Sequence, residues 1–225
     1  MAFNTVSTVR DKVPVLNAIV SVYDKTGLGS LVECLLCHCP GIHLFSTGGS
    51  HEFLSGMLGS RAGAHLVRLE DYTGQPVMKG GLVKTLDWKV YLGILAESGD
   101  ESHAQDLKRT GAVLFDMVIG NLYPFSEAAK ERGQLESTRQ HIDIGGPSML
   151  RAAAKNFLRV APVCQPGQYA RLAEVLEAGH GCTTLVERRL LAGEVFQRQS
   201  AYDAAIATYI NGIDPATLAG AYRLI

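Results

Sequence analysis

Short apolar runs alternate with amphipathic segments along most of the chain. The apolar runs have the length of strands and lie at residues 16–22, 42–45, 64–69, 113–119 and 160–164. Segments with helical spacing lie at residues 26–39, 49–58, 102–109, 125–132, 147–156 and 169–178. Nearly uniform apolar strands separated by helices are typical of a parallel sheet that is covered on both faces. We therefore predict an α/β fold, a three-layer sandwich with a mainly parallel central sheet that binds ligands at the carboxyl ends of its strands.

A long helical extension is predicted near the C-terminus. Residues 185–210 keep helical spacing and are interrupted by Gly193, so they form either one long helix or two that break there. We expect this extension to pack against the sheet domain. The segment from Gly212 contains Pro215 and several small residues, which predicts a loosely ordered tail. The predicted division is an N-terminal extension at residues 1–16, one domain at 17–210 and a tail at 211–225.

Composition and charge exclude several classes of protein. The 225 residues are 47% hydrophobic and 19% charged, as expected of a globular chain that buries a core. The net charge is −1 and no block of like charge occurs, so neither a nucleic-acid surface nor a membrane surface is indicated. No apolar run precedes residue 17, so we expect neither a secretory signal nor a membrane span, and a cytoplasmic location.

The five cysteines raise the question of a bound cofactor or metal. Cys34, Cys37 and His38 match the C-x-x-C-H pattern of covalent haem attachment, and Cys39 adds a thiol that zinc could use. The same segment also fits an amphipathic helix that stops at Pro40, in which cysteines behave as small buried hydrophobes. We prefer core packing and reduced thiols over haem or zinc, and we predict no cofactor.

The loop after the first predicted strand has the character of a phosphate site. Ser21, Lys25, Thr26 and Gly27 lie between that strand and the next helix, where backbone N–H groups and the positive end of the helix dipole meet a hydroxyl and an ammonium group. The alternative is that Asp24 or Thr26 caps the helix and that Lys25 is solvated.

A second loop of the same character follows the second predicted strand. Gly48 and Gly49 allow a ligand to approach the backbone closely, and the hydroxyls of Thr47 and Ser50 can complete a ring of donors. Two such loops at the ends of neighbouring strands predict a monophosphate site.

Three further segments carry possible acid-base groups. Lys84 lies in a long glycine-containing segment and could act as a proton donor or cationic clamp if it is partly desolvated; a solvated surface lysine is the alternative. Trp88, nearby, is expected in the core rather than as a platform for a base. Asn121 and Tyr123 follow the fourth strand, where an amide and a phenol can orient or protonate a carbonyl oxygen; Tyr123 could instead cap the core.

The last of these segments places a carboxylate before a glycine turn. Asp143 precedes Gly145 and Gly146, and Pro147 is predicted at the first position of a helix. Lys155 would then lie about 12 Å along that helix, so spacing alone does not pair it with Asp143.

Seven ordered segments together resemble a known family. They read SVYDKTG, STGG, DYTGQP, VKTL, NLYPF, IDIGGPSMLRAAAKN and AYDAAI. The resemblance covers roughly residues 17–210. The chain resembles the IMP cyclohydrolase domain of the bifunctional purine-biosynthesis proteins that also carry an AICAR transformylase. The resemblance implies the methylglyoxal-synthase-like fold and the cyclisation of FAICAR to IMP without metal or cofactor.

The resemblance also implies roles for individual residues. The four catalytic positions of the family match Lys84, Tyr123, Asp143 and Lys155. Our own hypothesis for their division of labour is that Asp143, hydrogen-bonded through Lys155, removes the amide proton, while Lys84 and Tyr123 stabilise and protonate the formyl oxygen. The implied substrate-binding residues are Ser21, Lys25, Thr26, Gly27, Thr47, Gly48, Gly49, Ser50, Thr85, Asn121, Ile144, Gly145 and Gly146. The expected partner is a purine ribonucleotide, FAICAR or IMP. Because no transformylase segment follows Ile225, we expect a separately encoded AICAR formyl-transferring enzyme; the oligomeric state stays open, with a homodimer as the candidate.

Departures from the family pattern concentrate around Lys84. Leu82 stands for an arginine, Asp87 and Tyr91 stand for histidines, and further substitutions are Trp88 for a proline, Leu92 for a glycine and Tyr23 for a serine in the first loop. Nucleotide binding is expected to be weaker unless Lys79 or Lys89 compensates. A non-catalytic nucleotide-binding or regulatory relative is therefore the alternative function, while methylglyoxal synthase is disfavoured because its GGDQ-type segment is not found.

Overall fold

A parallel sheet forms the centre of the molecule. The computed structural model describes residues 6–76, 78, 83–123, 125–130 and 135–223. Its strands are β1 (Val13–Pro14), β2 (Asn17–Ser21), β3 (His43–Ser46), β4 (Leu66–Arg68), β5 (Met117–Gly120), β6 (Ala161–Val163) and β7 (Cys182–Thr183). Five of them pair in the order β4-β3-β2-β5-β6, every pair parallel, while β1 and β7 form a separate antiparallel pair.

Helices connect the strands and cover both faces of the sheet. They are α1 (Leu28–His38), α2 (Gly48–Leu58), α3 (Ala62–His65), α4 (Leu69–Thr73), α5 (Trp88–Leu95), α6 (Glu101–Thr110), α7 (Phe125–Ala128), α8 (Leu135–Gln140), α9 (Gly145–Lys155), α10 (Tyr169–Ala178), α11 (Leu185–Asn211) and α12 (Pro215–Ala221). Short 3-10 turns lie at Gly59–Arg61 and Pro166–Gln168.

Alternating residues of the strands supply two separate cores. Ala18 and Val20 of β2 pack with α1, α2 and α10 on one face, whereas Ile19 between them packs with α5, α9 and α11 on the other. All three residues are fully buried, which explains the uniformly apolar run in the sequence. The predicted three-layer α/β sandwich is confirmed.

Several predicted boundaries differ from the structure. The third strand is the short β4, because residues 62–65 and 69–73 are helical. α9 begins at Gly145, so Pro147 is its third residue and not its first. α11 runs through Gly193 as one helix, and the predicted loose tail contains α12. The proposed domain limits at residues 16, 17, 210 and 211 stay a prediction.

A buried arginine fastens the segment before β2 to the rest of the sheet domain. Arg188 of α11 is fully buried and donates hydrogen bonds to the carbonyl oxygens of Arg10, Asp11 and Thr183 at 2.8–2.9 Å. Burial lowers the pKa of this guanidinium to about 10. The arginine thus links the chain before β1 to the start of the long helix.

The order of the strands determines where a ligand can lie. The chain moves outward from β2 to β3 and β4, then returns to the other side of β2 for β5 and β6. At the carboxyl ends of β2 and β5, the following loops therefore run to opposite sides of the sheet. This reversal of strand order opens a crevice between the two loops.

Candidate functional site

A cavity of about 600 Å³ occupies this crevice. The loops after β2, β3 and β5 form three of its sides, and the turn at residues 83–86 and the segment 140–146 complete it. Predicted site residues that line it are Ser21, Lys25, Thr47, Gly48, Gly49, Ser50, Lys84, Thr85, Asn121, Tyr123, Asp143, Ile144, Gly145 and Gly146. Thr26, Gly27 and Lys155 are described but are not part of this lining.

The first turn of α2 gives one end of the cavity a preference for anions. Thr47 occupies the N-cap position without making a side-chain cap, so the first N–H groups of the helix are not capped by that side chain. Gly48 and Gly49 leave these amides accessible at the cavity wall. Together with the ammonium groups of Lys25 and Lys84, this end suits a phosphate.

Two of the hydroxyls predicted to surround the phosphate, those of Ser50 and Thr47, are already used within the protein. Ser50 Oγ accepts a hydrogen bond from Val22 N–H at 2.9 Å and donates to Val22 C=O at 3.0 Å, which ties α2 to the loop after β2. Thr47 donates its hydroxyl hydrogen to the carboxylate of Glu70. At the first turn of α2, backbone amides and the ammonium group of Lys84 are therefore available to a ligand in place of these two hydroxyls.

Asn121 holds the loop after β2 in place. Its Oδ1 accepts from the N–H groups of Tyr23 and Asp24 at 2.7 and 2.9 Å, and its Nδ2 donates to Asp24 C=O at 2.7 Å. These three hydrogen bonds use most of the capacity of the amide. The side chain shapes the cavity wall between β2 and β5, which differs from the predicted contact with a carbonyl of the ligand.

Lys84 reaches across the cavity to α2. A methyl group placed on Gly48 would lie 3.7 Å from Lys84 Nζ, so the ammonium lies over the first turn of that helix. Val83 before it has a positive φ of 55°, a conformation that costs a β-branched residue about 1–3 kcal/mol. On the other side Thr85 is buried, and its hydroxyl packs so closely on Gly145 that no side chain fits there.

Asp143 lies at the start of α9. Its Oδ1 accepts a hydrogen bond from Gly146 N–H at 3.1 Å. Burial raises the pKa of this carboxyl, and the hydrogen bonds from the N–H groups of Gly146 and Gly145 oppose the shift only partly. A carboxylate with a raised pKa in a cavity is a better proton acceptor than an ordinary aspartate.

An aromatic pair forms the wall next to the loop after β5. The rings of Tyr23 and Tyr123 are 4.8 Å apart between centroids, at an interplanar angle of 48°. Both residues are exposed at 53% and 44%, so each ring limits the motion of the other at an otherwise open edge. Tyr23 is the residue that stands for a serine in the family pattern.

Comparison with known proteins identifies the family of this chain. The crystal structure of ForH superposes with a TM-score of 0.75 at 34% identity, covering 87% of this chain and 97% of that one. The bifunctional purine biosynthesis protein PurH of Rhizobium rhizogenes is 39% identical over 208 residues, and that of Cutibacterium acnes 39% over 210. Residues 153–223 match the family model described as AICARFT/IMPCHase bienzyme. The chain belongs to the AICARFT/IMPCHase family.

The aligned region covers most of this chain but only part of each PurH relative. It includes 92% of this chain but 37% of the Rhizobium rhizogenes protein, and 93% of this chain but 39% of the Cutibacterium acnes protein. The chain therefore spans well under half the length of these relatives.

Several residues at or next to the positions that depart from the AICARFT/IMPCHase pattern can be located in the described part of the chain. Asp87 is buried and caps α5, accepting from Lys89 N–H at 2.7 Å. Lys89 Nζ donates to Tyr72 C=O at 3.0 Å, so this lysine does not supply the missing cation. Trp88 is 60% exposed, and its predicted place in the core is wrong. Leu82 and Lys79 lie outside the described residues.

Lys155 is separated from the other predicted catalytic residues. It is the exposed last residue of α9, and ten helical steps of 1.5 Å place it about 15 Å along the axis from Gly145. α9 is continuous over this length, so it does not bring Lys155 back towards Asp143. Its role stays a prediction.

Two polar residues near the cavity were not identified from sequence. Glu70 accepts from Thr47 through Oε1, while its buried Oε2 has no hydrogen-bond partner among the described residues. Tyr202, within the AYDAAI segment, contacts the backbone of Asp143 through its hydroxyl. Both contacts join residues far apart in sequence, so local patterns carry no signal for them.

The possible metal and haem ligands lie away from this cavity. Cys39 and Cys164 are buried, but Cys37 is exposed, so the core interpretation is wrong for that thiol. Within the described residues, the one metal-compatible group is Glu97, Asp100 and His103, whose ligand atoms lie within 4.8 Å of one another around the start of α6. It contains none of the cysteines.

A membrane-crossing helix is not found in the described part of the chain. None of the helices there is both long enough and apolar enough to cross a bilayer.

Proposed function

We propose that this chain catalyses the ring closure of FAICAR to IMP with release of water. The observation that supports this most is that Lys84, Tyr123 and Asp143, from three separate segments, line one cavity with the first turn of α2. The relatives named purine biosynthesis proteins make a purine ribonucleotide the natural ligand to test.

The phosphate of the nucleotide is proposed to bind at the first turn of α2. The uncapped amides there, beside Gly48 and Gly49, attract an anion through their partial charges. Lys25, which also lines the cavity, is proposed as the cation that pairs with the phosphate. The imidazole ring of FAICAR, which becomes the purine ring of IMP, is proposed to extend toward Ile144 and Asp143, which line the same cavity.

The chemical step requires one proton acceptor and one group that stabilises negative charge. The carboxamide nitrogen of FAICAR attacks its own formyl carbon, forming the new C–N bond. Asp143 takes the proton released from that nitrogen, and the formyl oxygen becomes an oxyanion that accepts hydrogen bonds from Tyr123 and Lys84. Two protons reach this oxygen, the one that Asp143 accepted and the one that the formamide nitrogen loses as its C=N bond forms, so that water leaves as the C–O bond breaks and the ring is complete. Because the reaction is intramolecular, holding the reactive rotamer supplies much of the acceleration without a metal or cofactor.

Absorbance of IMP during incubation of the purified chain with FAICAR tests the proposal. Lys84→Ala and Tyr123→Phe are each expected to lower kcat by about 10²–10³-fold, the usual cost of losing one oxyanion donor. Lys155→Ala tests the residue that lies outside the cavity. Tight binding of IMP by the wild-type chain with no turnover would contradict the proposal.

A non-catalytic nucleotide-binding relative is the second candidate function. It is favoured by the position of Lys155 at the far end of α9 and by the substitutions next to Lys84. Calorimetric titration with IMP, run beside the FAICAR conversion assay, separates the two, because a binding protein binds IMP but leaves FAICAR unchanged.

The proposal also includes the limits of the catalytic domain, its location and the source of its substrate. We propose residues 17–210 as the catalytic domain, acting in the cytoplasm on FAICAR supplied by an AICAR formyl-transferring enzyme.

A further inference from the structure

One tyrosine joins the long C-terminal helix to the segment that carries Asp143. The hydroxyl of Tyr202 accepts a hydrogen bond from Asp143 N–H at 2.8 Å and lies 3.4 Å from His141 C=O, to which it donates. A phenol has one hydrogen to donate and can accept at the same time, so both bonds can exist together. Tyr202 therefore bridges both ends of the short stretch from His141 to Asp143.

The rest of this stretch depends on short local hydrogen bonds. His141 N–H donates to Thr138 C=O at 3.1 Å and Ile142 N–H to Arg139 C=O at 3.2 Å, which continues the end of α8. Asp143 N–H lies beyond that last turn, and Tyr202 is its partner. The position of the Asp143 backbone is thus determined by α11 on one side and by the start of α9 on the other.

The position of Tyr202 is restrained by burial and by packing of its ring and its helix. It is 9% exposed, and its ring meets Phe125 edge to face with centroids 6.2 Å apart. α11 packs against α9 and β6, and its residues Leu191 and Val195, which precede Tyr202 in the helix, are fully buried. Burial also raises the pKa of the Tyr202 phenol, so the hydroxyl keeps the hydrogen that it donates.

We propose that Tyr202 is a positioning residue that sets the place of the Asp143 carboxylate in the cavity. This inference rests on the proposed function, in which Asp143 accepts a proton. Without the hydroxyl, the Asp143 N–H loses its partner and the stretch from His141 to Asp143 can shift, while the packing of the ring on Phe125 remains. A displacement of about 1 Å at a reacting group can cost about 10²-fold in rate.

Tyr202→Phe is the direct test, and Tyr209→Phe is its matched control. Tyr209 lies two turns further along α11, and its ring also meets Phe125 edge to face, at 5.6 Å. The expected result for Tyr202→Phe is a kcat for FAICAR lower by about 10²-fold, with KM and the thermal midpoint changed little. Tyr209→Phe is expected to match the wild type. An equal fall of kcat and stability in both variants would overturn the inference.

Two measurements keep this test separate from the proposed activity. Hydrogen exchange of the Asp143 amide is expected to be at least about 10-fold faster in Tyr202→Phe than in Tyr209→Phe, because one hydrogen bond is lost. The pKa of the Asp143 carboxyl, followed by carbon NMR, is expected to differ between the two variants. If the wild type does not convert FAICAR, the proposed function fails, while these two measurements still decide the positioning role. Unchanged exchange and unchanged pKa in Tyr202→Phe would refute it.

Discussion

A single added methyl group at Gly146 should test the importance of the Asp143 carboxylate without removing any functional group. A Cβ at this position would lie 2.5 Å from Asp143 Oδ2 and 3.3 Å from its Cγ. Ordinary contacts begin at 3.4 Å, so the carboxylate must move by about 0.9 Å or rotate away. It lies at the end of a flexible side chain, which allows this movement without unfolding the site.

The expected result of Gly146→Ala is a loss of rate with no loss of stability. A displacement near 1 Å predicts a kcat lower by about 10²-fold, equivalent to about 2.7 kcal/mol of barrier. Alanine in place of a helical glycine stabilises by up to about 1 kcal/mol, so the urea midpoint should stay the same or rise.

Gly193→Ala provides the control for the effect of alanine on a helix. Gly193 lies within α11 and has open space where a Cβ would be added. This variant should gain up to about 1 kcal/mol and keep the wild-type kcat. FAICAR conversion and urea unfolding are measured for both variants. If Gly146→Ala converts FAICAR at the wild-type rate, the carboxylate is not needed where the structure has it, and the assignment of Asp143 as proton acceptor is refuted.

Three further changes have defined expected outcomes. In the folded state the pKa of Asp143 is raised above the ordinary value of about 3.9, so its protonated form favours folding below that value and this contribution is lost as pH rises through the folded pKa. Asp143→Asn should therefore unfold at higher urea than wild type at pH 7, with the difference shrinking towards pH 4, and an advantage that does not depend on pH would contradict this. Gln199 is buried, and neither atom of its amide has a partner among the described residues, so Gln199→Leu should raise stability by about 1–3 kcal/mol in urea unfolding, and an unchanged or lower midpoint would contradict this. Tyr23→Ser should lower kcat more than Tyr23→Phe, because phenylalanine keeps the ring that restrains Tyr123; equal rates in the two variants would exclude such a restraint.

The sheet and its covering helices could be predicted because their signal is local. The central residues of β2, Ala18 to Val20, are buried on both faces and are therefore apolar without alternation, and the same applies to Met117 to Ile119 of β5. The start of α9 was harder to predict because the first N–H groups of a helix have no partner within it. Pro147 is therefore tolerated as the third residue as easily as the first.

Long-range contacts account for the features of the site that the sequence could not predict. The hydroxyls of Thr47 and Ser50 were expected to face a ligand, but Glu70 and Val22 already use them. Nothing near Thr47 in the sequence indicates a carboxylate 23 residues away. The partnership of Tyr202 with Asp143, across 59 residues, depends likewise on the packing of α11.

The turn that carries Lys84 contacts α9 through its neighbour Thr85, which is buried. Thr85 packs on Gly145, and this contact joins the turn to the start of α9 next to Asp143. Lys84 extends from the same turn to the first turn of α2. One short segment thus connects the end of the cavity that suits a phosphate with the end that holds the carboxylate, so a shift of Thr85 would disturb both. Thr85 and Gly145 both match the family pattern, so this link between the turn and α9 is kept although positions before and after the turn are substituted.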